Sequence, residues 1–167
     1  LKRACIATVK GYDLYYTGEE LRQDDEDVWL HAAHLARYFP FEDGAKITGH
    51  RLLAALDWGR SKKDYERLRE SLLRLSESTV IVANSDGRKG FTGGLLRKIK
   101  WSQDDEESGI GTEWTIYLEP EIINLFASDG YTLIDWGQRL GLAPLAKWLH
   151  SFYFTPVSYT HLTLPTI

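Results

Sequence analysis

"LLAALDWGRSKKDYERLRESLLRL", residues Leu52 to Leu75, is the stretch on which the fold turns. Leu52, Leu53 and Leu56 are the apolar positions of one helix, and Thr48, just before it, is a residue type that accepts the free N–H groups of a first turn. "DWGRS" then breaks the chain at Gly59. Ser61 with Asp64 three residues on is a capping signature, and Tyr65, Leu68, Leu72 and Leu75 fall at i, i+3, i+7 and i+10, the buried stripe of a new helix. Two helices across a short glycine turn form a helix-turn-helix pattern.

The polar side of the second helix is basic. Arg60, Lys63, Arg67 and Arg74 recur at helical spacing away from the leucine stripe, and Lys62 and Arg69 flank them. A helix of this kind can lie in a major groove with its N-terminal residues near base edges. Solvation of an exposed face, with Glu66 and Glu70 pairing locally, is the competing reading. The charge distribution favours a nucleic-acid surface. The chain is -4 in total, yet residues 46–100 carry 13 Lys or Arg against six acids, +7, leaving -11 elsewhere. Local potential, more than total charge, steers a polyanion.

Upstream, "QDDEDVWLHAAHLARYF" sets Asp24, Asp25, Glu26 and Asp27 before an apolar stripe of Val28, Ala32, Leu35, Ala36 and Phe39 that ends at Pro40. A calcium loop needs ligands at alternating positions and a glycine turn, neither of which is here. Carboxylates in a first turn instead face the positive end of the helix dipole, so the run reads as helix initiation. Whether the helix starts at Thr17 or nearer Asp24 stays open. Asp27, His31 and His34 share a spacing that zinc could use, but no further His or Cys completes a shell, so no metal or other cofactor is expected. Still further upstream, "ACIATVK" and "YDLYYTG" are β-like runs around Gly11. The lone Cys5 excludes an internal disulfide and reads as a small buried hydrophobe.

Downstream come "TVIVANS", the turn "DGRKG" with Arg88 and Lys89, and "LLRKIKW" with Leu95, Arg97, Ile99 and Trp101 on one face and Leu96, Lys98 and Lys100 on the other. "TEWTIYLE" turns Trp114, Ile116 and Leu118 inward. The order helix, strand, helix, helix, strand, strand predicts an α+β winged helix, a helix-turn-helix with a β-hairpin wing tipped by Arg88 and Lys89. Additional C-terminal helices follow in "PEIINLFA" and "PLAKWLHSFYF", the latter burying Leu145, Trp148, Leu149 and Phe152. No phosphate loop, nucleophile elbow or dinucleotide fingerprint occurs, and no catalytic residue is assigned. No apolar run reaches the ~20 residues that span a bilayer, and the expected location is the cytoplasm.

Three segments, "YYTGEELRQDDEDVWLHAAHLAR", "LLAALDWGRSKKDYERLRESLLRL" and "YLEPEIINLFASDGYTLIDWGQRLGLAPLAKWLHSFY", spanning most of the chain from Leu14 to Tyr153, resemble the TrfA-type plasmid replication initiators. The resemblance implies a bacterial protein that binds iterons in double-stranded plasmid origin DNA, helps open the neighbouring AT-rich duplex and engages host replication proteins (initiator, helicase, sliding clamp). It also implies two tandem winged helices, the second giving much of the sequence-specific iteron contact and the first, which this chain covers, sharing DNA contact with self-association as a dimer. The expected organisation is a domain over 1–154, with β segments at 1–17, a winged-helix core at 18–118 and C-terminal helices at 119–154. Residues 155–167 form a tail set aside as atypical and not native, and Leu1 with the absence of methionine predicts a natural start further upstream. The DNA-binding set is Arg60, Ser61, Lys62, Lys63, Arg67, Arg74, Arg88, Lys89, Arg97, Lys98 and Lys100. A winged helix serving mainly for dimerisation or protein docking, or a winged-helix transcription regulator, is the alternative.

Overall fold

A computed structural model describes residues 4–9, 12–40, 42–102, 113–121, 135–147 and 149, with side chains from residue 13 onward. The chain divides into two compact units, 1–125 and 126–167. Both are mixed α/β or helical as far as described, and the sheets are antiparallel.

The first unit opens with a hairpin of β1 (Ala4–Val9) and β2 (Tyr12–Thr17), followed by α1 (Gln23–Ala36), β3 (Ala45–Thr48), α2 (Gly49–Ala55) and α3 (Lys62–Glu77). Four strands complete it: β4 (Thr79–Asn84), β5 (Gly90–Gly93), β6 (Leu96–Ser102) and β7 (Glu113–Leu118). They form two sheets, one in the order β1-β2-β4-β5 and one in the order β3-β7-β6. The helical predictions hold at residue level. Thr48 accepts from the Arg51 N–H at 3.3 Å to start α2, while Ser61 and Asp64 exchange hydrogen bonds at the start of α3. Leu52, Leu53, Leu56, Leu68, Leu72 and Leu75 are all buried, joined in the core by Val28, Ala32, Trp114, Ile116 and Leu118.

The turn between α2 and α3 differs in one respect from its sequence reading. The left-handed residue is Asp57, with φ 55°, and not Gly59. The Trp58 N–H reaches Leu53 O at 2.9 Å and the Asp57 N–H reaches Ala54 O at 3.2 Å, the two bonds of a Schellman ending. Gly59 matters for another reason, since a Cβ there would meet the Asp64 carboxylate at 2.5 Å.

The strand pairing overturns the expected hairpin. The "DGRKG" turn does not lead into "LLRKIKW"; it joins β4 to β5 in the sheet that β2 and β1 complete on the other side of β4, and β6 pairs with β7 in the other sheet. Arg88 and Lys89 therefore stand at the end of the four-stranded sheet and not on the β6–β7 hairpin. Period-2 patterning fixes which residues face inward but not which strand is the neighbour, and the short "GFTG" run carries too few side chains to announce itself. Face assignment on β6 shifts as well. A bulge between Leu96 and Lys98 aligns Leu96, Ile99 and Trp101 with Leu118, Ile116 and Trp114, so Leu96 turns inward and Arg97 is left exposed.

The acid run starts α1, as its position predicts, and does more. Asp25 is fully buried: its carboxylate takes the Arg22 backbone N–H at 2.8 Å, the Ser71 hydroxyl at 2.5 Å, and Arg74 Nε and Nη2 at 3.0 and 2.9 Å. Arg74, expected on the exposed basic face, is thus a buried counter-ion of α1, and this corrects its assignment to the DNA-binding set. Trp29 adds a second tie, donating from Nε1 to Leu95 O at 3.0 Å. The end of α3 is equally firm. Only Ser78 separates α3 from β4, and its hydroxyl donates to Leu75 O at 2.7 Å.

In the second unit, Asp135 caps α4 (Trp136–Leu140) by accepting from the Gln138 N–H at 2.9 Å. Arg139 is buried and donates from Nη1 to Lys147 O at 3.4 Å. Leu145 and Leu149, expected in a buried stripe, are exposed, because the helical turn that carries them turns that edge to solvent. Trp148, Phe152, most of "PEIINLFA", the 155–167 tail and the Cys5 side chain lie outside the described residues.

Breaking the buried pair has a defined cost. Arg74→Ala leaves the Asp25 carboxylate buried without its guanidinium and is expected to lower unfolding stability by about 3–5 kcal/mol in a denaturant titration. The pair also sets a pH dependence. Burial alone would raise the Asp25 carboxyl, yet the bonds from Arg74, Ser71 and the Arg22 N–H hold it below the usual value of 3.8. The stabilisation is complete above that ordinary value and is lost as pH falls through the lower folded one. Wild-type stability should therefore drop in this acid range with a slope that an Asp25→Asn variant lacks. In the α2–α3 turn, Asp57→Gly relieves the left-handed strain and should raise stability by about 1 kcal/mol.

Candidate nucleic-acid interface

The leucine stripe keys α3 into the core and leaves its other side to solvent. Arg60, Ser61, Lys62, Lys63, Arg67 and Arg69 are exposed there, mixed with Glu66 and Glu70. Lys62 stands 4.0 Å from Glu66 in an exposed pair of the kind that contributes little to stability. The competing reading of a solvated face thus describes part of this surface, and the cations outnumber the two glutamates.

Two tryptophans border the helix. On one side the Arg67 guanidinium lies 4.0 Å from the Trp58 ring centroid and forms a bidentate pair with Asp24, from Nε at 2.7 Å and Nη2 at 2.6 Å. That hydrogen-bonded pairing, more than burial opposes it, raises the Arg67 pKa above its ordinary value, so the charge is permanent. On the other side Arg69 lies 5.8 Å from the ring of Trp101 on β6. Trp101 is 48% exposed and rests 5.5 Å from Trp114, which is buried. Composition alone gave no sign of these aromatic borders; a Trp in the helix-helix turn and another on an edge strand were the available signals.

Lys98 and Lys100 point to the other face of the three-stranded sheet. Their ammonium groups lie 5.7 and 5.5 Å from the Tyr117 ring, and Lys46 joins them across Thr115, which pairs with both Lys46 and Lys100. The structure thus separates the predicted residues into three places. Arg60 and Ser61 lead into α3, which carries Lys62, Lys63 and Arg67; Lys98 and Lys100 are on the outer sheet face with Arg97 at the bulge beside them, and Arg88 and Lys89 are at the β4–β5 turn. The turn that carries Arg88 and Lys89 belongs to the four-stranded sheet and not to the strand pair that carries Lys98 and Lys100.

The histidine reading is also resolved in structural terms. Asp27 is buried while His34 is exposed, so the three side chains do not share one open face. Burial and the neighbouring His34 hold the His31 imidazole below its usual pKa. Among the described residues no group of three or more His, Cys, Asp or Glu is placed to hold a metal ion, and no helix is long and apolar enough to cross a membrane.

Comparison with known proteins gives a consistent picture. The family model described as "TrfA protein" matches residues 2–166. The plasmid replication initiator protein TrfA of Escherichia coli is 28% identical over 147 residues, which covers 86% of this chain and 37% of that protein. The chain therefore spans little more than a third of that relative. Among solved structures, a crystal structure of domains 2 and 3 of RctB superposes with a TM-score of 0.70 at 12% identity, covering 96% of this chain and 65% of RctB's. A selenomethionine form of the same two domains gives 0.68 at 13% identity, with the same coverage. At such identities the likeness concerns the fold.

The two neighbouring tryptophans should respond differently to truncation. Trp114→Ala empties a buried site and is expected to cost about 3–5 kcal/mol, whereas Trp101→Ala, on an exposed edge, should stay within about 1 kcal/mol in the same denaturant titration.

Proposed function

The chain belongs to the TrfA protein family, and from that premise we propose that it forms a winged-helix DNA-binding domain of a plasmid replication initiator. The elements α1, β3, α2, α3, β6 and β7, in this order with β4 and β5 inserted between α3 and β6, and a three-stranded β3-β7-β6 sheet support the winged-helix reading, with β6 and β7 as the wing. The observation that carries the DNA-binding reading is α3 itself. Three leucines bury one side, and Arg60, Lys62, Lys63, Arg67 and Arg69 occupy the exposed side, beginning at a rigid Schellman turn.

In this reading α3 meets repeated sites in double-stranded origin DNA. Lys62 and Lys63 hold phosphates beside the groove, while Arg97, Lys98 and Lys100 supply positive potential from the wing. The domain works without catalysis or cofactor, in the bacterial cytoplasm. Self-association, and docking of host initiator, helicase or sliding clamp, belong to the same proposal. Their support is the set of sheet edges: among the described residues β3 and β6 each pair on one side only, as do β1 and β5, and an edge strand offers backbone groups to a further chain.

Each phosphate contact that is removed lowers the salt slope of duplex binding by roughly 0.9. A Lys62→Ala/Lys63→Ala variant of the full chain should therefore lose about 2 units of slope in a salt titration of binding to family iteron duplexes. A slope equal to wild type would remove α3 from the interface. A Lys98→Ala/Lys100→Ala variant, measured in parallel, reports whether the outer sheet face contributes.

A further inference from the structure

Arg67 differs from every other cation on α3. Lys62 and Lys63 are exposed, compact charges on flexible stems, suited to phosphate. Arg67 is held twice. Asp24 engages Nε and Nη2 in a bidentate pair, and the Trp58 ring lies 4.0 Å from the guanidinium carbon. The first contact fixes one edge of the planar fork and the second fixes where the plane sits.

Such bracing has little to contribute to stability. The pair is partly open to solvent, with Arg67 47% and Asp24 28% exposed, where water and salt screen what an ion pair adds to folding. The union of α1 with α3 is already made by Asp25 and Arg74, which are buried. What the second pair does accomplish is orientation. A guanidinium has five N–H donors, and Asp24 occupies the Nε–Nη2 edge. The edge formed by Nη1 and the second Nη2 hydrogen remains, and this end-on edge matches guanine N7 and O6 in a bidentate contact. Arg67 also sits in the second turn of α3, toward the end of a recognition helix that approaches base edges.

We propose that Arg67 is a base-reading residue for a guanine in the major groove, with Asp24 and Trp58 as positioning residues that aim it. The inference rests on the reading of α3 as the DNA-contacting helix and deepens it by assigning one cation to sequence and the others to phosphate. A fixed fork selects the correct base because any other base leaves desolvated donors without acceptors. A lysine at the same place supplies charge without that geometry.

The test is selection of bound sequences from a randomised duplex library by the full chain, in wild type, Arg67→Lys and Asp24→Asn forms. Wild type should enrich a motif containing a guanine that both variants stop distinguishing, with discrimination at that one position falling about tenfold while the other positions keep theirs. Arg67→Lys retains the charge opposite Asp24 and so leaves α1 and α3 joined. Asp24→Asn leaves Arg67 in place and removes only its brace. Even weakening across all positions, or an unchanged motif, overturns the assignment of Arg67 while leaving α3 as the DNA-binding helix. A wild-type chain that enriches no duplex overturns the DNA-binding reading, and this inference with it.

Discussion

The carboxylate of Asp25 ties α1 to α3 in the interior of the first unit. It closes the first turn of α1 through the Arg22 N–H and simultaneously anchors α3 through Ser71 and Arg74. A fully buried charge is tolerated only when its partners are fixed, so the angle and register of α3 against α1 follow from satisfying this one group. The leucines supply the stabilisation; the ion pair supplies the register. Because Arg74 is spent inward, the outward cations lie toward the start of α3.

The adjacent Asp24 repeats the arrangement two turns earlier on α3, at Arg67, under opposite conditions. There the pair stands at the surface, beside an aromatic ring, and its guanidinium keeps free donors. Two neighbouring aspartates thus divide one task into a structural half and an accessible half. The same contrast appears at the tryptophans, where Trp114 fills the core and Trp101 covers it from an exposed strand next to Arg69.

Local features were legible in the sequence because their causes are local. Ser61 and Asp64 cap α3 through groups three residues apart, and the stripe of Leu68, Leu72 and Leu75 follows from helical periodicity. Membership of an initiator family was legible too, from three long segments. What escaped depends on distant partners. Arg74 looks like any basic helix residue until Asp25, 49 positions away, is placed beside it. The partner of β4 depended on four residues of β5, whose glycines leave little pattern to read, and a single bulge at Arg97 reversed the faces of half a strand. The candidate site was accordingly legible as a helix, whereas the strands that Arg88 and Lys89 connect were not.

With Ser78 alone between α3 and β4, and its hydroxyl tied back to Leu75, no slack exists between the helix and the strand at the centre of the four-stranded sheet. A tilt of the helix therefore bears directly on β4, the strand that leads to the Asn84 to Lys89 turn.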